Sequence, residues 1–148
     1  MDTFMAFGSV ERSVAKNEIE ALFHRYAVLA TEEPDIEKMV IVFEEGGVFR
    51  LPNGVIVKPR NLLEVVRGNN PKFIRHHVTS IDIQFVSPTE AHTRSYFFAT
   101  TDVSGFDHWG QWRDIVRKGS NGQWLIADRS VVVEGGDQKG WFRTTYPE

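Results

Sequence analysis

The chain has 148 residues, 41% of them apolar and 12% aromatic, which is the size of one domain that buries a core without disulfide or metal staples. Seventeen basic against twenty acidic residues give a net charge of -3, with no basic run longer than two, which argues against nucleic acid or an anionic membrane as partner. Cysteine is absent, so disulfides, thiol chemistry and cysteine-ligated metals are excluded, and a reducing cytoplasm is the expected compartment. The opening residues Met1 to Phe7 carry an acid and no basic region ahead of Gly8, so neither a signal peptide nor a membrane span is expected there.

Residues 15–30 place Ile19, Leu22, Phe23, Tyr26 and Leu29 near helical spacing, with Glu18, Glu20 and Arg25 on the wetter side, and predict a first helix that Pro34 brings to an end. Residues 35–43 predict a short second helix through Ile36, Met39, Val40 and Phe43, broken by Gly46-Gly47. Val48 to Leu51, the turn Pro52-Asn53-Gly54 and Val55 to Val57 form a predicted hairpin, because Asn-Gly tolerates the left-handed conformations of a tight turn. A third helix is predicted over 61–67, with Pro59 near its start and Gly68 after its end.

The remainder is strand-like. Strands are predicted over 73–86, 91–101, 108–118 and 123–133, with 102–107 as a looser connection and an aromatic tail, Trp141-Phe142-Arg143 and Tyr146, expected to pack over a pocket mouth or a neighbour. Helices followed by long strands indicate a single α+β domain. In the first long strand, counting back by twos from Ile81, Ile83 and Phe85 puts His77 and Thr79 on the apolar face, whereas a bulge near Thr79 or Ser80 brings His76 and Val78 inward instead. The later strands set Asp114 with Trp112, and Asp128 with Trp124 and Ile126, on one face each; a carboxylate among rings needs a partner. Large rings around a few polar groups either line a ligand pocket or fill the core or a subunit interface.

The run Arg75-His76-His77-Val78-Thr79-Ser80, together with Arg94-Ser95-Tyr96-Phe97, Gly110-Gln111-Trp112-Arg113-Asp114, Gly122 to Ala127 and the helix-one run Ile19 to Ala27, resembles the SnoaL-like branch of the nuclear transport factor two-like superfamily. The resemblance implies a conical α+β barrel, a strongly curved antiparallel or mixed sheet with three N-terminal helices enclosing a pocket, and a homodimer or homotrimer built on the outer sheet face. It also implies cofactor-free acid-base work on a hydrophobic molecule, aromatic, terpenoid, steroid or polyketide-like, as in a lyase or isomerase of the dehydratase kind. The alternatives within the fold are a noncatalytic binding or assembly domain and an epoxide hydrolase or cyclase.

In the family's dehydratases His76 matches a catalytic histidine, Tyr26 falls where helix one presents an aromatic to the pocket, and the usual partner aspartate is replaced by Thr31. A second dehydratase histidine falls near His108 or Trp109. The expected catalytic set is therefore His76, with Asp128 and Asp114 as orienting or acid-base partners, and Tyr26. Trp112, Phe23, Phe49, His77, His108 and Tyr96 are the expected substrate-binding residues. No metal or cofactor is expected, since neighbouring histidines on a strand point to opposite faces and the Gly-Gly pairs lack a phosphate-binding context.

Overall fold

The computed structural model describes residues 7–30, 36–62 and 70–147. Helix α1 (Ser9–Leu29) buries Ala15, Ile19, Phe23, Tyr26 and Ala27 along one stripe, the spacing the sequence predicts. Helix α2 (Ile36–Val40) is shorter than expected, since Phe43 already opens strand β1 (Phe43–Arg50). Gly46 and Gly47 do not end that helix but lie inside β1, where Gly46 takes φ 80° and the register with its neighbour shifts between Phe43 and Val48.

The predicted hairpin is present: β1 pairs antiparallel with β2 (Ile56–Val57), and Gly54 adopts φ 84° in the turn. A single 3-10 turn, Pro59–Asn61, follows. The helix expected over 61–67 lies largely outside the described residues, as does Thr31. The long strands are β3 (Ile74–Ser87), β4 (Glu90–Thr101), β5 (His108–Lys118) and β6 (Trp124–Gly136), and the aromatic tail forms helix α3 (Trp141–Thr145).

The sheet order is β2-β1-β6-β5-β4-β3, with β1 and β6 parallel and every other pair antiparallel. The two outermost strands do not pair with each other, so the sheet is open and mixed; the expected conical, cone-shaped barrel is corrected on that ground, because closure requires the edges to meet. One edge is only two residues long and cannot zip along the fourteen of β3. Among the described residues the helices are likewise not all N-terminal, since α3 follows the last strand. Helix α1 crosses the inner sheet face against β3 and β6, and the core lies between them.

Two bulges decide which side chains reach that core. In β3 the register shifts between Val78 and Ser80, so the face holding Ile81, Ile83 and Phe85 continues through Val78 and His76, leaving His77 outside. In β6 Ile115 lies opposite Asp128 while Val116 lies opposite Ile126, so Ala127 is the extra residue. Beyond it the parity reverses: Arg129, Val131 and Val133 face inward and Asp128 faces outward. Val131 and Val133 therefore line the interior cavity and are not part of the outer face expected to mediate self-association. That outer face instead carries Phe98, Phe106 and Trp109 in successive ring contacts of 5.3 and 5.1 Å, with His77 stacked on Phe98 at 4.7 Å.

Candidate functional site

Between the inner sheet face, α1 and α3 lies a cavity of about 410 Å3. Tyr26 enters from α1, Phe49 from β1, His76 from β3, Phe97 from β4, His108 and Trp112 from β5, and Trp141, Phe142 and Tyr146 from the C-terminal segment. The aromatic tail thus forms a cavity wall. Five of the expected site residues, His76, Tyr26, Trp112, Phe49 and His108, converge here.

The others are placed elsewhere. Phe23 is fully buried in the core. His77 and Tyr96 are on the outer face, His77 within 3.2 Å of Thr100 Oγ1. Asp128 is also outside, where Arg50 grips its carboxylate through Nε at 3.0 Å and Nη2 at 2.8 Å; the bulge at Ala127 is what turns it away from the cavity. Asp114 faces inward, but its partner is Arg129, not a histidine. Arg129 donates from Nε to Oδ1 and from Nη2 to Oδ2, both at 2.8 Å, and both side chains are 0% exposed. The guanidinium lies 4.0 Å from the Trp112 ring centroid and 4.2 Å from that of Tyr26, so the cavity floor is aromatic with a buried cation beneath it.

The carboxylate that does meet a cavity histidine is Asp107, at the end of the loop before β5. Its Oδ1 is 2.7 Å from His108 Nδ1 and accepts from the Phe142 N–H at 3.1 Å. Its Oδ2 accepts from the Trp141 N–H at 2.6 Å and from Thr101 Oγ1 at 3.0 Å. One buried side chain therefore seats both the ring of His108 and the first turn of α3. A Cβ at position 140 would lie 2.7 Å from Asp107 Oδ2, so Gly140 is what allows the helix to come this close. The signal for Asp107 in the sequence is slight, an Asp-His pair at the junction of loop and strand.

As an acceptor-only carboxylate, Asp107 takes the protonated Nδ1 of His108 and leaves the lone pair on Nε2. Burial lowers the pKa of His108 from its usual 6.5, against the opposing pull of Asp107, so the ring is neutral at pH 7. His76 is pushed further, to about 3, by burial first and then by His108, Arg129 and His77. Its ring is 6.3 Å from that of His108 and 5.6 Å from Trp112, centroid to centroid. Tyr26 is held protonated, since burial raises its pKa more than Arg129 lowers it.

These shifts make stability depend on pH. Between pH 6.5 and about 3 the unfolded chain binds a proton at His76 that the folded chain refuses, so stability falls as pH falls through this window. The wild-type thermal midpoint is expected to drop more steeply with acid than that of His76→Gln, from which this proton is missing. Asp114, raised by burial, acts in the opposite sense in both proteins and cancels in the difference. Parallel midpoints from pH 7 to 4 would count against a desolvated His76.

Among the described residues no three His, Asp or Glu side chains cluster as metal ligands, and no helix is long and apolar enough to cross a membrane. The fold and cavity are those of the SnoaL-like branch of the nuclear transport factor two-like superfamily, and the chain belongs to it: the model of the SnoaL-like domain matches residues 11–130. No curated protein matches the chain in sequence.

Several solved structures are similar in fold. A candidate scytalone dehydratase from Novosphingobium aromaticivorans shares 23% identity at a TM-score of 0.74, over 88% of this chain and 91% of that one. Hexachlorocyclohexane dehydrochlorinase LinA-type3 from Novosphingobium barchaimii shares 10% at 0.74, over 88% and 93%. ActVI-ORFA from Streptomyces coelicolor shares 18% at 0.66, over 81% and 97%. At these identities the likeness is one of fold.

Proposed function

We propose that the protein is a cofactor-independent acid-base lyase or isomerase of the dehydratase kind, acting on a hydrophobic small molecule of aromatic, terpenoid, steroid or polyketide-like character. The observation that carries this reading is the His108–Asp107 pair: a neutral imidazole whose Nδ1 is fixed by a buried carboxylate 2.7 Å away, in a ring-lined cavity. His108 Nε2 removes a proton from the substrate and returns it to another atom or to a leaving group. Trp112, Phe97 and Phe49 hold the apolar body of the substrate, and Tyr26 and His76 offer polar contacts beside the base.

His108 takes the role of base because it alone of the two cavity histidines has a carboxylate partner among the described residues. Epoxide opening by a carboxylate-activated water is not supported, since Asp114 is held by Arg129 and Asp128 by Arg50 on the other face. A binding module without chemistry is the competing outcome of the test.

Proton exchange tests the base whichever product the full reaction forms. Hydrophobic ketones of aryl, cyclic terpenoid and steroid type are incubated with the protein in deuterium oxide, and exchange of acidic C–H positions is followed by NMR. Wild type is expected to accelerate exchange for at least one class, and His108→Ala to lose about 10²–10⁴ of that acceleration, the usual contribution of a positioned base. Binding without exchange in the wild type would identify the domain as a binding module.

A further inference from the structure

Two imidazoles face the cavity, and their surroundings differ in one respect that divides their work. His108 has its Nδ1 against Asp107. His76 has a buried Nδ1 with no hydrogen-bond partner among the described residues, while its other ring nitrogen is not enclosed in this way and the ring lines the cavity. A neutral imidazole carries one N–H. Placed on Nδ1, that donor would be buried with nothing to receive it; placed on Nε2, it meets whatever occupies the cavity. An orphaned interior N–H is the rarer and costlier arrangement, so the proton belongs on Nε2.

No carboxylate among the described residues lines the cavity into which this nitrogen looks. Among the described residues the titratable groups about His76 and its cavity are His108 on β5, Arg129 on β6 with its partner Asp114, His77 on β3, Tyr26 on α1, Arg143 on α3 and Tyr146 after it. Asp107, the acid that contacts His108, has both oxygens engaged by four donors. Burial first, and then His108, Arg129 and His77, disfavour a positive charge on His76, which keeps the ring neutral and hydrogen-donating at pH 7.

We propose that His76 is a neutral hydrogen-bond donor, through Nε2–H, to a substrate oxygen that becomes negative as His108 takes a proton, so that the cavity selects hydrophobic molecules whose deprotonation leaves charge on oxygen. This assignment rests on His108 as base. The step is balanced: the substrate's O–H or acidic C–H bond breaks, the proton goes to His108 Nε2, and the electron pair stays with the substrate as phenolate or enolate. His108 becomes an imidazolium with its Nδ1–H on Asp107, and His76 neither gains nor loses a proton. The arrangement departs from the sequence-based expectation, in which His76 is the general base or acid.

Binding of para-nitrophenol tests it, because the ionised form is read directly by its visible absorbance. At a pH below the ionisation of the free phenol, wild type is expected to bind it as phenolate. At a pH where the phenol is already ionised, His76→Phe, which keeps a ring of similar shape, should bind it about tenfold to hundredfold more weakly, the range for a hydrogen bond to a charged atom. His76→Gln, which keeps an N–H donor, should recover part of the loss. Equal affinity of wild type and His76→Phe for the ionised probe, or no binding of it by wild type, would overturn the donor role. Uptake of only the neutral phenol at low pH, with the His76 dependence intact at high pH, would instead strike the assignment of His108 as base, so the two failures are distinguishable.

Discussion

Arg129→Met is expected to destabilise the fold by about 3–5 kcal/mol, the cost of removing one member of a buried ion pair and leaving the other uncompensated. Arg129 and Asp114 are both 0% exposed and bind each other through two bonds of 2.8 Å, beneath Trp112 and Tyr26. Without the guanidinium, Asp114 is left with burial and the Asp128 charge, both of which raise its pKa, and must take up a proton to remain inside. The loss in urea or thermal unfolding should therefore be largest at neutral pH and shrink as the pH falls. Adding Asp114→Leu to Arg129→Met should restore much of the stability, because two apolar groups of similar volume avoid the desolvation cost altogether. A loss below about 1 kcal/mol in the single variant would mean that the pair contributes no more than a surface one.

That pair also shows where the sequence is legible and where it is not. The helical stripe of α1, the Asn53-Gly54 hairpin and the long strands follow from periodicity and turn chemistry, which are local. Strand parity reduces the choice between His76 and His77 to the presence of one bulge, and the shift between Val78 and Ser80 settles it for His76. The bulge at Ala127 has no comparable signature: Trp124, Ile126 and Asp128 alternate without interruption, so simple parity puts Asp128 inside and Arg129 outside, the reverse of what is found. One inserted residue exchanges an internal cation for an internal acid and sends Asp128 to Arg50 on the far face. Closure of the sheet is likewise not legible, since it depends on whether distant edges meet. The Asp107–His108 pair is hidden for another reason: its partners, the backbone N–H groups of Trp141 and Phe142, lie more than thirty residues further along the chain and carry no side-chain signal.

Asp107→Asn is expected to lower exchange catalysis by about hundredfold or more while leaving most of the fold in place, because it disturbs the proton on His108 more than the packing around it. In the wild type the carboxylate only accepts, which fixes the proton of His108 on Nδ1 and the lone pair on Nε2. An asparagine has one acceptor oxygen to offer four donors, two of them the backbone N–H groups at the start of α3. If the oxygen goes to the helix, the amide N–H2 faces His108, its Nδ1 becomes the acceptor, and the proton moves to Nε2, where it blocks the base. Nitrogen-15 NMR of the imidazoles reads this tautomer directly, and a purely structural role for Asp107 would not move it. Asp107→Ala should go further, unseating α3 and its rings from the cavity wall, with a rise in fluorescence quenching of Trp141 by added iodide. Retention of the Nδ1–H tautomer and of full exchange activity in Asp107→Asn would show that the carboxylate holds the helix alone. Loss of both together would tie the basicity of His108 to the same buried group that closes the cavity.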